Sequence, residues 1–113
     1  MNNELRDEII ICALNALIEK VTPALRALVV EWSEELIRLI AYYDGEINEA
    51  HRELLSLAAT ELEASLTSGI EVTRSYHRVD FPADLEYGPL TRNRVLIYKR
   101  YEGNYSEFLE MDS

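Results

Sequence analysis

The chain has 113 residues, 48% of them hydrophobic, with 21 acidic against 11 basic side chains and a formal net charge of -10. That length is one domain large enough to bury a core without staples, and the apolar fraction is too high for a disordered acidic tail. The charge opposes nucleic acid and anionic membranes and favours basic protein surfaces, and the single Cys12 excludes an intrachain disulfide or a cysteine-rich zinc site.

Residues 4–20, ELRDEIIICALNALIEK, read as a helix. Leu5, Ile9, Cys12, Ala13, Ala16 and Leu17 recur at helical spacing, with Asn3 as N-cap and Glu4, Asp7 and Glu8 near the positive end of the helix dipole. Pro23 stops the pattern. The segments 25–32, LRALVVEW, and 36–43, LIRLIAYY, read as a β-hairpin turning at Ser33, Glu34 and Glu35. In the second strand Ile37, Leu39, Ala41 and Tyr43 share the core face. Leu36, Arg38, Ile40 and Tyr42 form a second face too apolar for water, read as meeting a partner or the tail.

Asp44-Gly45 breaks the chain, and a second helix is expected from about Glu49 to Leu66 with Asn48 as N-cap. Its buried stripe is Leu54, Leu55, Ala58, Leu62 and Leu66. Glu49, Arg52, Glu53 and Glu63 lie outward, and Thr67-Ser68-Gly69 closes it. Residues 70–79 alternate as a third strand, with Ile70, Val72, Arg74, Tyr76 and Arg78 on one face. Phe81-Pro82 stops it, and a turn-rich loop runs from Ala83 to Asn93. Residues 94–101 read as a fourth strand, with Val95, Ile97, Lys99 and Tyr101 on one face.

The order α-β-β-α-β-β predicts an α+β domain. Its expected form is a four-stranded antiparallel sheet covered by two helices over residues 1–105, with an acidic, loosely held tail at 106–113. Charge is uneven along it. Residues 1–69 hold 13 acidic and 5 basic side chains, 70–101 hold 4 and 6, and 102–113 hold 4 and none.

Catalytic patterns are weak. His51 and His77 show no metal-ligand spacing, no serine sits in a G-x-S-x-G turn, and four glycines build no phosphate loop. A histidine–carboxylate pair on His51 or His77 is the one enzymatic alternative. The acidic groups lack calcium-loop spacing. No cofactor and no metal are expected. Arg92, Arg94, Lys99 and Arg100 with Tyr98 and Tyr101 outline a nucleic-acid platform, which the overall field opposes. Seven tyrosines, several at strand ends or in loops, suit a protein interface. The acidic start MNNELRDEII lacks the pattern of a secretory signal, and no apolar run is long enough to span a membrane, so a cytoplasmic address is expected.

The stretches LRALVVEW, LIRLIAYYDGEINEAHRELLSLAATEL, EVTRSYHRVDFP and RVLIYKRYE cover most of residues 1–102. In them the chain resembles small bacterial immunity proteins of polymorphic toxin systems, including those of contact-dependent growth inhibition. YYDGEI with the helix after it, and RVDFP, are the most recognisable parts. The resemblance implies a non-enzymatic inhibitor that binds and occludes one cognate toxin C-terminal domain, commonly a basic nuclease. No nucleic-acid or membrane partner is expected, and the free chain is expected to be a monomer or weak dimer. The family pattern assigns no contact residues. On physical grounds the candidates are Glu31, Glu34 and Glu35 at the first turn and Asp44, Glu46, Glu49 and Glu53 at the start of the second helix. Trp32, Tyr42 and Tyr43 are the candidate aromatic anchors. The alternative is a general interaction or adaptor module, in which the same surface serves a different partner or the apolar second face of strand 36–43 forms a homodimer.

Overall fold

The computed structural model describes residues 3–67 and 69–103. The elements are α1(Asn3–Ala16), β1(Leu25–Trp32), β2(Leu36–Tyr43), α2(Glu49–Ser65), β3(Glu71–Arg78) and β4(Arg94–Lys99). Ser68 and the proposed tail at 106–113 lie outside the described residues, as does the side chain of Asn3.

The four strands form one sheet in the order β3-β2-β1-β4. β1 is antiparallel to both β2 and β4, but β2 and β3 run parallel, so the sheet is mixed and not wholly antiparallel. The reason is the helix between them. A two-residue turn reverses a strand, whereas a helix returns the chain to the start of the previous one. The 17 residues of α2 rise about 25 Å, and the eight residues of β2 span about 26 Å. The chain therefore comes back level, and Leu36 pairs with Glu71 at the start of both strands.

Both helices cover one face. Ile9, Ala13, Ala16 and Leu17 of the first helical segment meet Leu28, Val30, Trp32, Ile37, Leu39, Ala41 and Tyr43, with Leu55, Ala58, Ala59, Leu62 and Leu66 from α2 and its cap. The predicted core face of β2 is thus the observed one. α1 ends at Ala16, not Lys20. Its last turn tightens through Leu17 N–H to the Leu14 carbonyl and Ile18 N–H to the Asn15 carbonyl, and Glu19 turns left-handed at φ 66. α2 starts as expected. Asn48 Oδ1 accepts from His51 N at 2.9 Å, and His51 Nδ1 accepts from Asn48 N at 3.2 Å. This is a reciprocal capping box with histidine in the usual glutamate position. Leu54 is only partly buried, and Ala59 takes its place in the stripe.

Among the described residues, the second face of β2 is covered by another part of the chain. Ala27, Val29, Ile40 and Tyr42 are covered by Val79, Leu85 and Tyr87 of the loop joining β3 to β4. That loop has to cross the sheet, because β3 and β4 lie at opposite edges. It covers the surface on which the homodimer alternative depends. In β4 the expected alternation also breaks. A register shift between Leu28 and Val29 pairs Leu28 with Tyr98 and Ala27 with Lys99, so Tyr98 turns to the helices and Lys99 to the loop face.

Candidate functional site

The two acidic groups lie at opposite ends of the β1–β2 hairpin, separated by about 26 Å of strand. They form two patches. At the turn, Glu34 and Glu35 are exposed. Glu31 is not free: its carboxylate sits between Arg38 on β2 at 3.4 Å and Arg94 on β4 at 3.2 Å. Both are its direct cross-strand neighbours, so the three make an Arg–Glu–Arg row across the sheet. Trp32 is 3% exposed and packs in the helix-side core. Its backbone is clamped by Asn93, whose carbonyl accepts the Trp32 N–H and whose Nδ2 donates to the Trp32 carbonyl, both at 3.0 Å. A shallow cleft of about 320 Å³ opens here between Trp32, Leu36, Asn93 and the two arginines.

At the other end, Glu46, Glu49 and Glu53 are exposed. Asp44 is half-occupied by the fold. Its Oδ1 accepts from Phe81 N at 3.1 Å and its Oδ2 from Arg100 Nη2 at 3.1 Å. In return Gly45 N donates to Asp80 Oδ1 at 2.8 Å. The Asp44-Gly45 turn, at φ 86 for Gly45, and the RVDFP segment therefore clasp each other by side chain to backbone. The two most recognisable sequence segments thus meet in one mutual lock. Tyr43 is buried, stacked between His51 at 5.0 Å and Tyr76 at 6.4 Å, and burial pushes its hydroxyl up to about 12. Tyr42 is buried on the opposite face, stacked on His77 at 5.3 Å. The three expected aromatic anchors are thus inside the fold, behind the charged positions.

Sequence reasoning missed the group that organises this end. Arg26 is 2% exposed at an irregularity of β1. Its guanidinium grips Glu102 through two bonds, Nε at 2.6 Å and Nη2 at 2.8 Å, and donates a third to the Val79 carbonyl at 2.7 Å. Arg100 joins Glu102 at 2.9 Å to Asp44 and to the Pro23 carbonyl. The hydrogen bond from Arg26 holds the Glu102 carboxyl below its ordinary range against the opposing effect of burial, with Arg100 adding to it. The signal was an arginine in the apolar first part of β1, before Glu31. Glu102 looks in sequence like part of the acidic tail but is locked into the fold.

Part of the basic platform is used within the fold, while Arg92, Lys99 and Tyr101 stay exposed. Arg94 is paired with Glu31, Arg100 with Glu102 and Asp44, and Tyr98 packs toward the helices. Among the described residues no three histidine, cysteine or acidic side chains are placed to hold a metal ion. None of the described helices is long and apolar enough to cross a membrane.

A comparison with curated proteins finds no match. The family model described as MafI2 immunity protein matches residues 6–102. The match runs from the first turns of α1 to Glu102, the residue that locks Arg26, and so takes in the whole sheet, both acidic patches and the mutual lock. The chain belongs to the MafI2 immunity protein family, the protective side of a bacterial polymorphic toxin system.

Proposed function

We propose that the chain acts in the cytoplasm as a non-catalytic inhibitor that covers the working surface of a basic, nuclease-type toxin domain. The observation that carries this reading is how the charges are divided. Arginines that could offset the acidity are used within the fold: Arg26 and Arg100 on Glu102, Arg38 and Arg94 on Glu31, Arg78 on Asp80. Glu34, Glu35, Glu46, Glu49 and Glu53 point to solvent. Such a field steers a cationic partner in and competes with the polyanion the partner would otherwise bind. Trp32, Tyr42 and Tyr43 serve as a rigid platform beneath these carboxylates, with Glu31 and Asp44 fixing its two ends.

The test is co-expression with the toxin domain encoded directly upstream, followed by titration of the two purified proteins at increasing salt. Protection, with affinity falling steeply as salt rises, is the expected result. A neighbour that stays fully toxic in the presence of this chain overturns the reading.

A further inference from the structure

α1 is apolar on two sides. Ile9, Ala13 and Ala16 make the buried stripe. On the opposite side Ile11, Leu14 and Ile18 follow the i, i+3, i+7 spacing that lines one helix face, the last in the tightened turn beyond Ala16. They are 58%, 46% and 64% exposed. Packing on the sheet needs only one apolar stripe, so the second is surplus to the packing of the described residues. Leu57 on α2 is 48% exposed in the same helical layer.

The charge of that layer decides what can cover it. Residues 3–20 and 49–65 hold eight acidic side chains and three basic ones, about half of the chain's net charge of -10. All three cations are engaged: Lys20 with Glu61 at 2.9 Å, Arg6 with the Arg92 carbonyl at 3.1 Å, and Arg52 over the Tyr76 ring at 4.9 Å. A second copy docked here would bring two such acidic layers face to face. A membrane surface of anionic lipid meets the same repulsion. The chemistry that fits is an apolar ridge or pocket ringed by lysine and arginine.

We infer that the outer face of α1, Ile11, Leu14 and Ile18 within its acidic surround, is the surface that seats the basic toxin domain. This rests on the proposed function and extends its binding surface from Glu49 and Glu53 on α2 across the helical layer. The carboxylates set the approach, and the apolar stripe sets how long the complex lasts.

The test uses the full chain and the toxin domain encoded directly upstream. The double variant Ile11→Gln and Ile18→Gln removes the stripe without changing charge and keeps good helix formers. Each isoleucine leaves enough apolar area exposed that its burial is worth about tenfold in affinity, so the pair is expected to weaken binding about 100-fold. The loss falls in the dissociation rate, the salt dependence is unchanged, and the melting temperature stays within about 3 °C of wild type. Leu90→Gln, equally exposed but on the loop, is the control and is expected to bind as wild type. If the double variant does not melt like wild type, Leu14→Gln alone is read the same way, with a tenfold loss expected. Binding within threefold of wild type by the folded stripe variant overturns this inference and leaves the proposed function standing. A wild-type chain that does not bind the toxin domain overturns both. A wild-type dimer by light scattering that becomes a monomer in the stripe variant assigns the face to a second copy and also overturns it.

Discussion

Replacing Glu102 with leucine isolates the most concentrated electrostatic commitment in the fold. Arg26 is 2% exposed and donates to both carboxylate oxygens of Glu102, at 2.6 and 2.8 Å. The Glu102→Leu change leaves that guanidinium with the Val79 carbonyl and the face of Phe81 at 5.7 Å, neither of which neutralises it. Removing one partner of a buried pair costs about 3–5 kcal/mol. Glu102 keeps 17% of its side chain exposed, which admits some water, so the low end applies, about 3 kcal/mol. For a domain of this size that lowers the melting temperature by about 12 °C. Arg100 keeps Asp44 and Pro23 and adds little to the loss. The double variant Arg26→Met, Glu102→Leu replaces the pair by apolar groups of similar reach and is expected within about 1 kcal/mol of wild type. Urea melts of the two single variants and the double variant close the cycle. A Glu102→Leu cost below about 1 kcal/mol, or a double variant no better than the single, refutes the claim that this pair is buried and mutually dependent.

Three further outcomes follow from the geometry. Because the Glu102 carboxyl is held below its ordinary value of 4.5, its contribution is complete above that pH and is lost as pH falls through the lower folded-state value. The melting-temperature gap between wild type and Glu102→Leu therefore narrows as thermal scans move from pH 5 to pH 3. Asn48→Ala removes one half of the capping box with His51 and costs about 1 kcal/mol in a urea melt, with the toxin affinity of the folded protein unchanged. Glu49→Lys with Glu53→Lys costs about 1 kcal/mol of stability, because Glu49 sits in the first turn of α2 at the positive end of its dipole, and slows association of the folded variant with the upstream-encoded toxin domain about tenfold at low salt, a difference that stopped-flow mixing shows fading toward 1 M salt.

The parts of the fold set by local pattern were legible. β1 and β2 fall on the expected residues because alternation and β-branched runs mark both ends, and Asn48 caps α2 because an Asx residue precedes an amphipathic run. The parallel β2–β3 pair was misread although its signal was present: a 17-residue helix between consecutive strands cannot act as a hairpin link. The partner of Arg26 was not legible, since Glu102 lies 76 residues away and no local period connects them. Trp32, Tyr42 and Tyr43 show the limit of reading interface residues from type alone. Aromatics at strand ends suit a partner surface and a core edge equally, and alternation sends Tyr42 and Tyr43 to opposite faces of the sheet. For the acidic positions, exposure separates Glu34, Glu35, Glu46, Glu49 and Glu53 from Glu31 and Asp44, which the fold itself engages.

The position of β1 between β2 and β4 also has a consequence for synthesis. β1 is the first strand to leave the ribosome, and one of its two edges waits for β4, whose last residue, Lys99, comes 67 positions after Trp32. At 5–20 residues per second that edge stays unpaired for about 3–13 s. During that time LRALVVEW is an apolar strand with open backbone donors and acceptors, and its Arg26 still lacks the carboxylate of Glu102. A chain stopped before residue 94 keeps both acidic patches but not the strand that closes this edge. Premature termination is therefore expected to yield an insoluble fragment, not a shorter inhibitor.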